Sequence, residues 1–357
     1  MVQGSGSVGD RVRAKARALG FDAVGFARAD APLDEDHARY RAFVEGGLHG
    51  TMQYLADDAE VRRRLDGEEI LRGARSVVCV ARSYRRDPVS EAADPLVAQG
   101  IARYARGHDY HNVVRRQLRR LAVFLRTLGS EAEPVHARPM CDDVPVLERA
   151  WAARAGLGFV GKNGMLIVPG DGSLVLLGEV VTTLDLPPDA PMTPRCGACT
   201  RCLEACPTHA LDRPFVLDAR RCVAYLNIEL SSAIPEGLRS AVGERLFGCD
   251  DCQTVCPFNQ GKRSRATART RPFEPLPVWH RLTHADLLGL DEATWQSRLA
   301  GSPVKRAELA GTARNAAIVL GNRGDQAARP ALARAAEDHP SEVVREAARW
   351  ALSRLER

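Results

Sequence analysis

Apolar and polar positions alternate with two different periods along the first half of the chain. Residues 10–19 carry apolar side chains at helical spacing, and Ala23-Val24-Gly25-Phe26-Ala27 reads as a strand. Val77-Val78-Cys79-Val80-Ala81 is a short apolar, β-branched run of the kind buried inside a sheet. Val114, Leu118, Leu121, Leu125 and Leu128 share one helical face, with Arg115, Arg116, Arg119 and Arg120 mostly on the other. Pro145 suits the first turn of another helix running to about Ala155. Residues 165–168 and 174–182 predict strands joined by Pro169-Gly170-Asp171-Gly172. Residues 1–185 therefore read as an α/β or α+β domain.

A Pro-rich joint (Pro187-Pro188, then 191–194) leads into a cysteine-rich segment, taken here as 186–260. Residues 261–271 hold five basic side chains and no acid, which predicts a solvated linker or a patch for a polyanion. Beyond about Val304 the pattern is helical and Ala-rich. Leu309, Ala313, Ala316 and Leu320 form one apolar stripe, and Val344, Ala348, Ala351 and Leu355 another. Breaks at Gly321-Asn322 and Pro340 predict two or three short helices, as a HEAT-like unit or a plain helical cap over 261–357.

Composition narrows the class. The 357 residues are 45% hydrophobic and 27% charged, which excludes a disordered chain and a disulfide mini-protein. No apolar run is long enough to span a membrane, and Met1 to Ser7 lead into a charged segment rather than a secretory core. A cytoplasmic location is expected. The formal charge of +5 is uneven: 17 Lys+Arg against 11 Asp+Glu lie from Phe258 onward, and 33 against 34 before it.

Eight of the ten cysteines fall between Cys196 and Cys256, which in a reducing compartment reads as metal ligation. Cys196-x2-Cys199-x2-Cys202-x3-Cys206-Pro207 is the bacterial ferredoxin spacing, and Cys249-x2-Cys252-x3-Cys256-Pro257 repeats it one ligand short, with Cys222 filling the gap. By the crossover rule for two-cluster ferredoxins, Cys196, Cys199, Cys202 and Cys256 hold one [4Fe–4S] cluster, and Cys206, Cys222, Cys249 and Cys252 the other. Zinc is the competing reading, but zinc sites pair two separated knuckles rather than three cysteines in seven residues. Cys79 reads as a buried core thiol; Cys141 precedes two aspartates.

Gly156-Leu157-Gly158-Phe159-Val160-Gly161 fits G-x-G-x-x-G, and Gly161-Lys162-Asn163 ends a near P-loop. Both need a strand before and a helix after, and here the order is inverted. Asn163 also replaces the hydroxyl that would hold magnesium. A loop facing a cofactor through Gly158, Gly161, Lys162 and Asn163 is the expectation, a structural turn the alternative.

Five stretches together resemble the epoxyqueuosine reductase family: residues 104–111 (Tyr-Ala-Arg-Gly-His-Asp-Tyr-His), 142–148 (Asp-Asp-Val-Pro-Val-Leu-Glu), 155–163, 248–253 (Gly-Cys-Asp-Asp-Cys-Gln), and 314–317 with 320–322. The likeness covers about residues 8–355. It implies an α+β chain of three parts: a nitroreductase-like domain holding cobalamin, a ferredoxin-like domain with two [4Fe–4S] clusters, and a HEAT-like helical unit gripping tRNA. It implies reduction of the epoxide of epoxyqueuosine at the wobble base to an alkene, with tRNA of GUN anticodon as partner, an electron donor the sequence does not name, and a monomeric chain. No Asp-x-His-x-x-Gly motif is present, so cobalamin would be held without that histidine.

Carried onto this chain, the resemblance makes Asp142 the proton donor and places Asp109, Tyr110 and His111 beside cofactor and substrate. Asp109 equally suits a helix cap. Asp143 stands where the family has a small residue, and two adjacent carboxylates are expected to raise each other's pKa. Lys262, Arg263, Arg265, Lys305, Arg306 and Arg314 are the candidate phosphate contacts. A corrinoid reductive dehalogenase-like oxidoreductase and a non-catalytic iron–sulfur electron carrier are the alternatives. The first lacks a use for the basic tail, and the second leaves Asp142 and the Gly-Lys-Asn loop unexplained.

Overall fold

The computed structural model describes residues 6–142, 144–260 and 268–356. Four strands form the central sheet: β1 (Ala23–Arg28), β2 (Ser76–Ser83), β3 (Ala137–Met140) and β6 (Val175–Thr182), in the order β1-β2-β6-β3 with every pair antiparallel. The fold is thus α+β.

Alternation along β2 and β6 sends side chains to two apolar layers. Val78, Val80 and Val180 meet the helices Val8–Ala18 and Tyr110–Arg126 on one face. Val77, Cys79, Ala81 and Val181 meet the helix Glu148–Arg154 on the other, where Trp151 is wholly buried. Val114, Leu118, Leu121 and Leu125 of the long helix are fully buried, each stabilising by about 1.5–3 kcal/mol. This anchors the helix whose first turn carries Tyr110 and His111.

Three local expectations are corrected. Pro145 lies in a loop, and the next helix starts only at Glu148. Residues 165–168 do not pair with β6: β5 (Leu166–Ile167) pairs with β4 (Phe159–Val160), leaving one bridge, Val168 to Gly172, across the Pro-Gly-Asp-Gly turn. Gly321-Asn322 does not break a helix. The helix Glu308–Arg323 runs through it and stops at Gly324, whose φ is +63°. Gly321 is instead a crossing point, where a Cβ would meet Ala351 Cα at 2.8 Å. The helices Glu308–Arg323, Arg329–Asp338 and Glu342–Leu355 close the chain, with Pro340 between the last two as expected.

Among the described residues, no helix is long and apolar enough to cross a membrane.

Candidate active site and thiol centres

The loop from β3 to the helix Glu148–Arg154 carries Asp142, whose φ of +57° is left-handed and strained for a residue with a side chain. Its backbone N–H donates to Glu148 Oε1 at 2.7 Å. Its carboxylate accepts from the Tyr110 hydroxyl and lies 3.5 Å from His111 Nε2. On the other side of the same ring, Asp109 Oδ1 stands 2.8 Å from His111 Nδ1. Asp109 also caps the helix Tyr110–Arg126 by accepting from the His111 amide at 3.0 Å, so cap and site roles coincide. The Tyr110 and His111 rings stack at 4.1 Å, with Tyr104 edge-on to Tyr110 at 5.7 Å.

This arrangement sets the charges. Burial pushes the His111 imidazole down, but Asp109 and Asp142 outweigh it and bring it up to about 9. The ring is an imidazolium at neutral pH. Burial pushes the Asp142 carboxyl up, yet the hydrogen bonds from His111 and Tyr110 hold it below the ordinary carboxylate range. The expectation of a raised Asp142 is therefore corrected: the donors facing it favour its ionised form. Asp143 lies outside the described residues.

The raised carboxyls are others. Burial, with the Asp142 charge adding, brings Glu148 up to about 7. Glu179, on β6 opposite Cys79 and Met140, is wholly buried and well above its usual range, through burial and then Glu148. Sequence reading missed it; its signal was a lone acid inside the apolar run 174–182.

The Gly-Lys-Asn loop faces the thiols. Lys162 Nζ donates to the carbonyls of Gly197 and Cys199 at 2.7 and 3.0 Å, and Asn163 Nδ2 to that of Cys252 at 3.3 Å. The tight approach expected of a ligand is made by the protein itself: a Cβ on Gly158 would sit 2.1 Å from the Ile167 carbonyl oxygen, and one on Gly161 2.7 Å from Ile167 Cδ1. The structural-turn alternative accounts for these glycines. A helix precedes the loop and a strand follows, so neither nucleotide-binding motif has its scaffold.

The eight cysteines fall into two neighbourhoods. Burial raises the Cys202 thiol, with Cys196, Cys256 and Cys199 adding; Cys256 is raised by burial, then Cys196 and Cys199. Cys222 is raised by burial, then Cys206, and burial brings Cys249 up to about 12, with Asp251 and Cys222 adding. Cys252 is pushed up by burial, then by Cys249 and Cys222, and it also feels Cys202. The two groups therefore adjoin at Cys202 and Cys252. Amides point at the sulfurs: Ala210 N–H lies 3.2 Å from Cys206 Sγ, those of Tyr225 and Ala224 serve Cys222, and those of Phe258 and Asn259 serve Cys256. Among the described residues, no three His, Cys, Asp or Glu side chains close on a single-ion site. Cys79 and Cys141 are buried core thiols.

Of the candidate RNA contacts, Lys262, Arg263 and Arg265 lie outside the described residues. Arg306 is exposed, pairs with Glu229 at 2.9 Å and lies over the Tyr54 ring; Lys305 lies over Trp295. Arg314 is corrected. It is 1% exposed, and its guanidinium donates to the carbonyls of Leu226, Leu230 and Ser232, so no phosphate can reach it.

Residues 195–259 match the family model of a 4Fe-4S double cluster binding domain, and residues 64–143 that of epoxyqueuosine reductase QueG, DUF1730. The epoxyqueuosine reductase of Xanthomonas campestris pv. campestris is 41% identical, over 96% of this chain and 95% of its own. That of Escherichia coli is 34% identical, over 94% and 86%. A solved epoxyqueuosine reductase with an epoxyqueuosine-modified tRNA-Tyr stem loop superposes with a TM-score of 0.85 at 31% identity, covering 97% of this chain and 89% of that one. The Bacillus subtilis enzyme, with its catalytic aspartate loop swung out of the active site, gives 0.84 at 30% identity, covering 97% and 90%.

Proposed function

The chain belongs to the epoxyqueuosine reductase family, and on that premise we infer that the Asp142 site is where the epoxide of epoxyqueuosine on tRNA is reduced to the alkene. It is an oxidoreductase acting on tRNA, with two [4Fe–4S] clusters and cobalamin as cofactors. The observation that carries the assignment of the site is the exposed Asp142 carboxylate held between an imidazolium and a phenol, beside an aromatic wall.

The residues suit both cofactors. Burial and neighbouring sulfurs raise the Cys202, Cys222, Cys252 and Cys256 thiols within two adjoining sets of four cysteines, and iron, which binds such groups as thiolates, would relieve the crowding of charge. Cys196, Cys199, Cys202 and Cys256 would hold one cluster, and Cys206, Cys222, Cys249 and Cys252 the other. The Tyr104, Tyr110 and His111 rings, the last two stacked and Tyr104 edge-on, form an aromatic wall against which a corrin would lie, with half-exposed Tyr54 within electrostatic reach of Asp142. Asp109, Tyr110, His111 and Asp142 are the cobalamin-side residues. Lys162 and Asn163 serve the cofactors at one remove, by fixing the thiol loops.

Bound cobalamin supplies a strongly reducing metal centre fed one electron at a time through the clusters. The protein supplies the proton. An alkoxide leaves poorly, so opening the epoxide needs an acid at the oxygen. Asp142 presents that proton, drawing it from the His111 imidazolium, which Asp109 orients through the opposite ring nitrogen. Tyr110 fixes the carboxylate against its phenol, and Glu148 holds the loop by its amide.

Three segments divide the work in this reading: a nitroreductase-like 1–185 for cobalamin, a ferredoxin-like 186–260 for electron delivery, and a HEAT-like 261–357 for tRNA with a GUN anticodon. The test is anaerobic turnover of epoxyqueuosine-containing tRNA with a chemical reductant, read by nucleoside mass spectrometry. Asp142→Asn should lower the rate at least about 100-fold with tRNA binding retained. Full turnover by that variant removes Asp142 as the donor.

A further inference from the structure

Glu179 sits at the centre of the sheet with 0% exposure, and among the described residues neither carboxyl oxygen has a hydrogen-bond donor. A carboxylate in that position would be a bare charge in an apolar layer, so the group carries a proton. The side chain facing it is another carboxyl, Glu148, and Glu148 Oε1 in turn accepts the Asp142 amide at 2.7 Å. Among the described residues, the other titratable groups around the pair are Cys79 on β2, Asp142 on the loop and Arg149 on the helix. Arg149 donates to the Gly164 carbonyl at 2.5 Å, and neither it nor Cys79 hydrogen-bonds to Glu179. A hydrogen bond between the two glutamates exists only through a proton they share.

We propose that Glu148 and Glu179 share a proton and form the store from which Asp142 is recharged during reduction. This rests on the reading of Asp142 as the proton donor. Converting the epoxide to an alkene and water consumes two electrons and two protons. The electrons arrive through the clusters. The first proton breaks from Asp142 and bonds to the oxygen as the C–O bond opens; the second turns the resulting hydroxyl into departing water. His111 holds one of the two, and Asp142 passes both, so it must be reprotonated within a single turnover. With both glutamates protonated, Glu148 gives up its proton, carried by solvent water to the exposed Asp142 carboxylate, and the ionised Glu148 is then held by the Glu179 O–H, so two bare charges never face each other; solvent reprotonates Glu148 afterwards. Glu148 is thus a relay and positioning residue, and Glu179 the donor that holds it.

The experiment is isotope-edited infrared spectroscopy of the holoenzyme labelled with carboxyl-13C glutamate, paired with single-turnover rates between pH 6 and 9. At pH 7.5 the wild type should show a protonated glutamate carbonyl band that Glu179→Gln removes. Glu179→Gln should slow alkene formation at least tenfold at pH 8, with cobalamin content and tRNA affinity unchanged. Glu148→Gln, which keeps an acceptor for the Asp142 amide, should show the same rate loss and serves if Glu179→Gln does not fold. An unaltered carbonyl band, or a rate–pH profile matching the wild type in a folded variant, overturns the proposal. Asp142→Asn separates the two ideas. If it abolishes turnover while both glutamine variants behave as wild type, the store alone fails; if it turns over normally, the donor reading fails as well.

Discussion

His111 is flanked by two carboxylates, one on each ring nitrogen, and this makes it a stability element as well as a site residue. Its folded pKa of about 9 lies above the unfolded value near 6.5, so the folded state binds the extra proton. The stabilisation is fully present below about pH 6.5 and is lost as pH rises through 9. Thermal melts of the wild type should therefore fall between pH 7 and 9.5, by about 2 kcal/mol with screening included, and His111→Gln should flatten that limb. Equal slopes would show that the imidazolium is not held. Asp142 and His111 were legible because their motif places them. Glu179 was not, because a single acid in a strand acquires meaning only from the register that puts it opposite Met140 and Cys79 and turns it toward Glu148.

Helices and long strands follow from periodicity because burying one face is what forms them, and the helix Tyr110–Arg126 is the clearest case. The hairpin of β4 and β5 escaped because each strand has two residues, too few for any period to register. That hairpin holds the Gly-Lys-Asn loop, and the loop braces both thiol segments. Two charge-assisted hydrogen bonds from Lys162 fix the carbonyls of Gly197 and Cys199, each worth about 1.5–3 kcal/mol. Lys162→Met should leave the far-ultraviolet circular dichroism unchanged yet speed the bleaching of cluster absorbance in air several-fold. Bleaching at the wild-type rate would mean that the loop keeps its shape without the ammonium.

One apolar core runs from Val97 and Ile101 through Leu226 and Phe247 to Leu320 and Leu355, so the cluster-bearing segment and the C-terminal helices fold against each other. Arg314 is part of that joint, which is why a basic residue in a basic tail turned out to face carbonyls. Charge in sequence gave the tail's sign but not which cations point outward. Arg306 does, and its Tyr54 neighbour lies within reach of Asp142, which places a cation at the rim of the site. Affinity for the modified stem loop should fall steeply with salt, and Arg306→Gln should reduce the log–log slope by about 0.7–0.9. An unchanged slope would exclude Arg306 as a phosphate contact.

The two thiol neighbourhoods are interleaved along the chain. The one begun by Cys196 is completed only by Cys256, and the one begun by Cys206 only by Cys252. During synthesis neither set exists until some sixty residues of this segment have left the ribosome, and both then come together within four residues of each other. On the proposed ligand sets, a chain truncated before Cys252 should therefore offer iron no complete set for either centre.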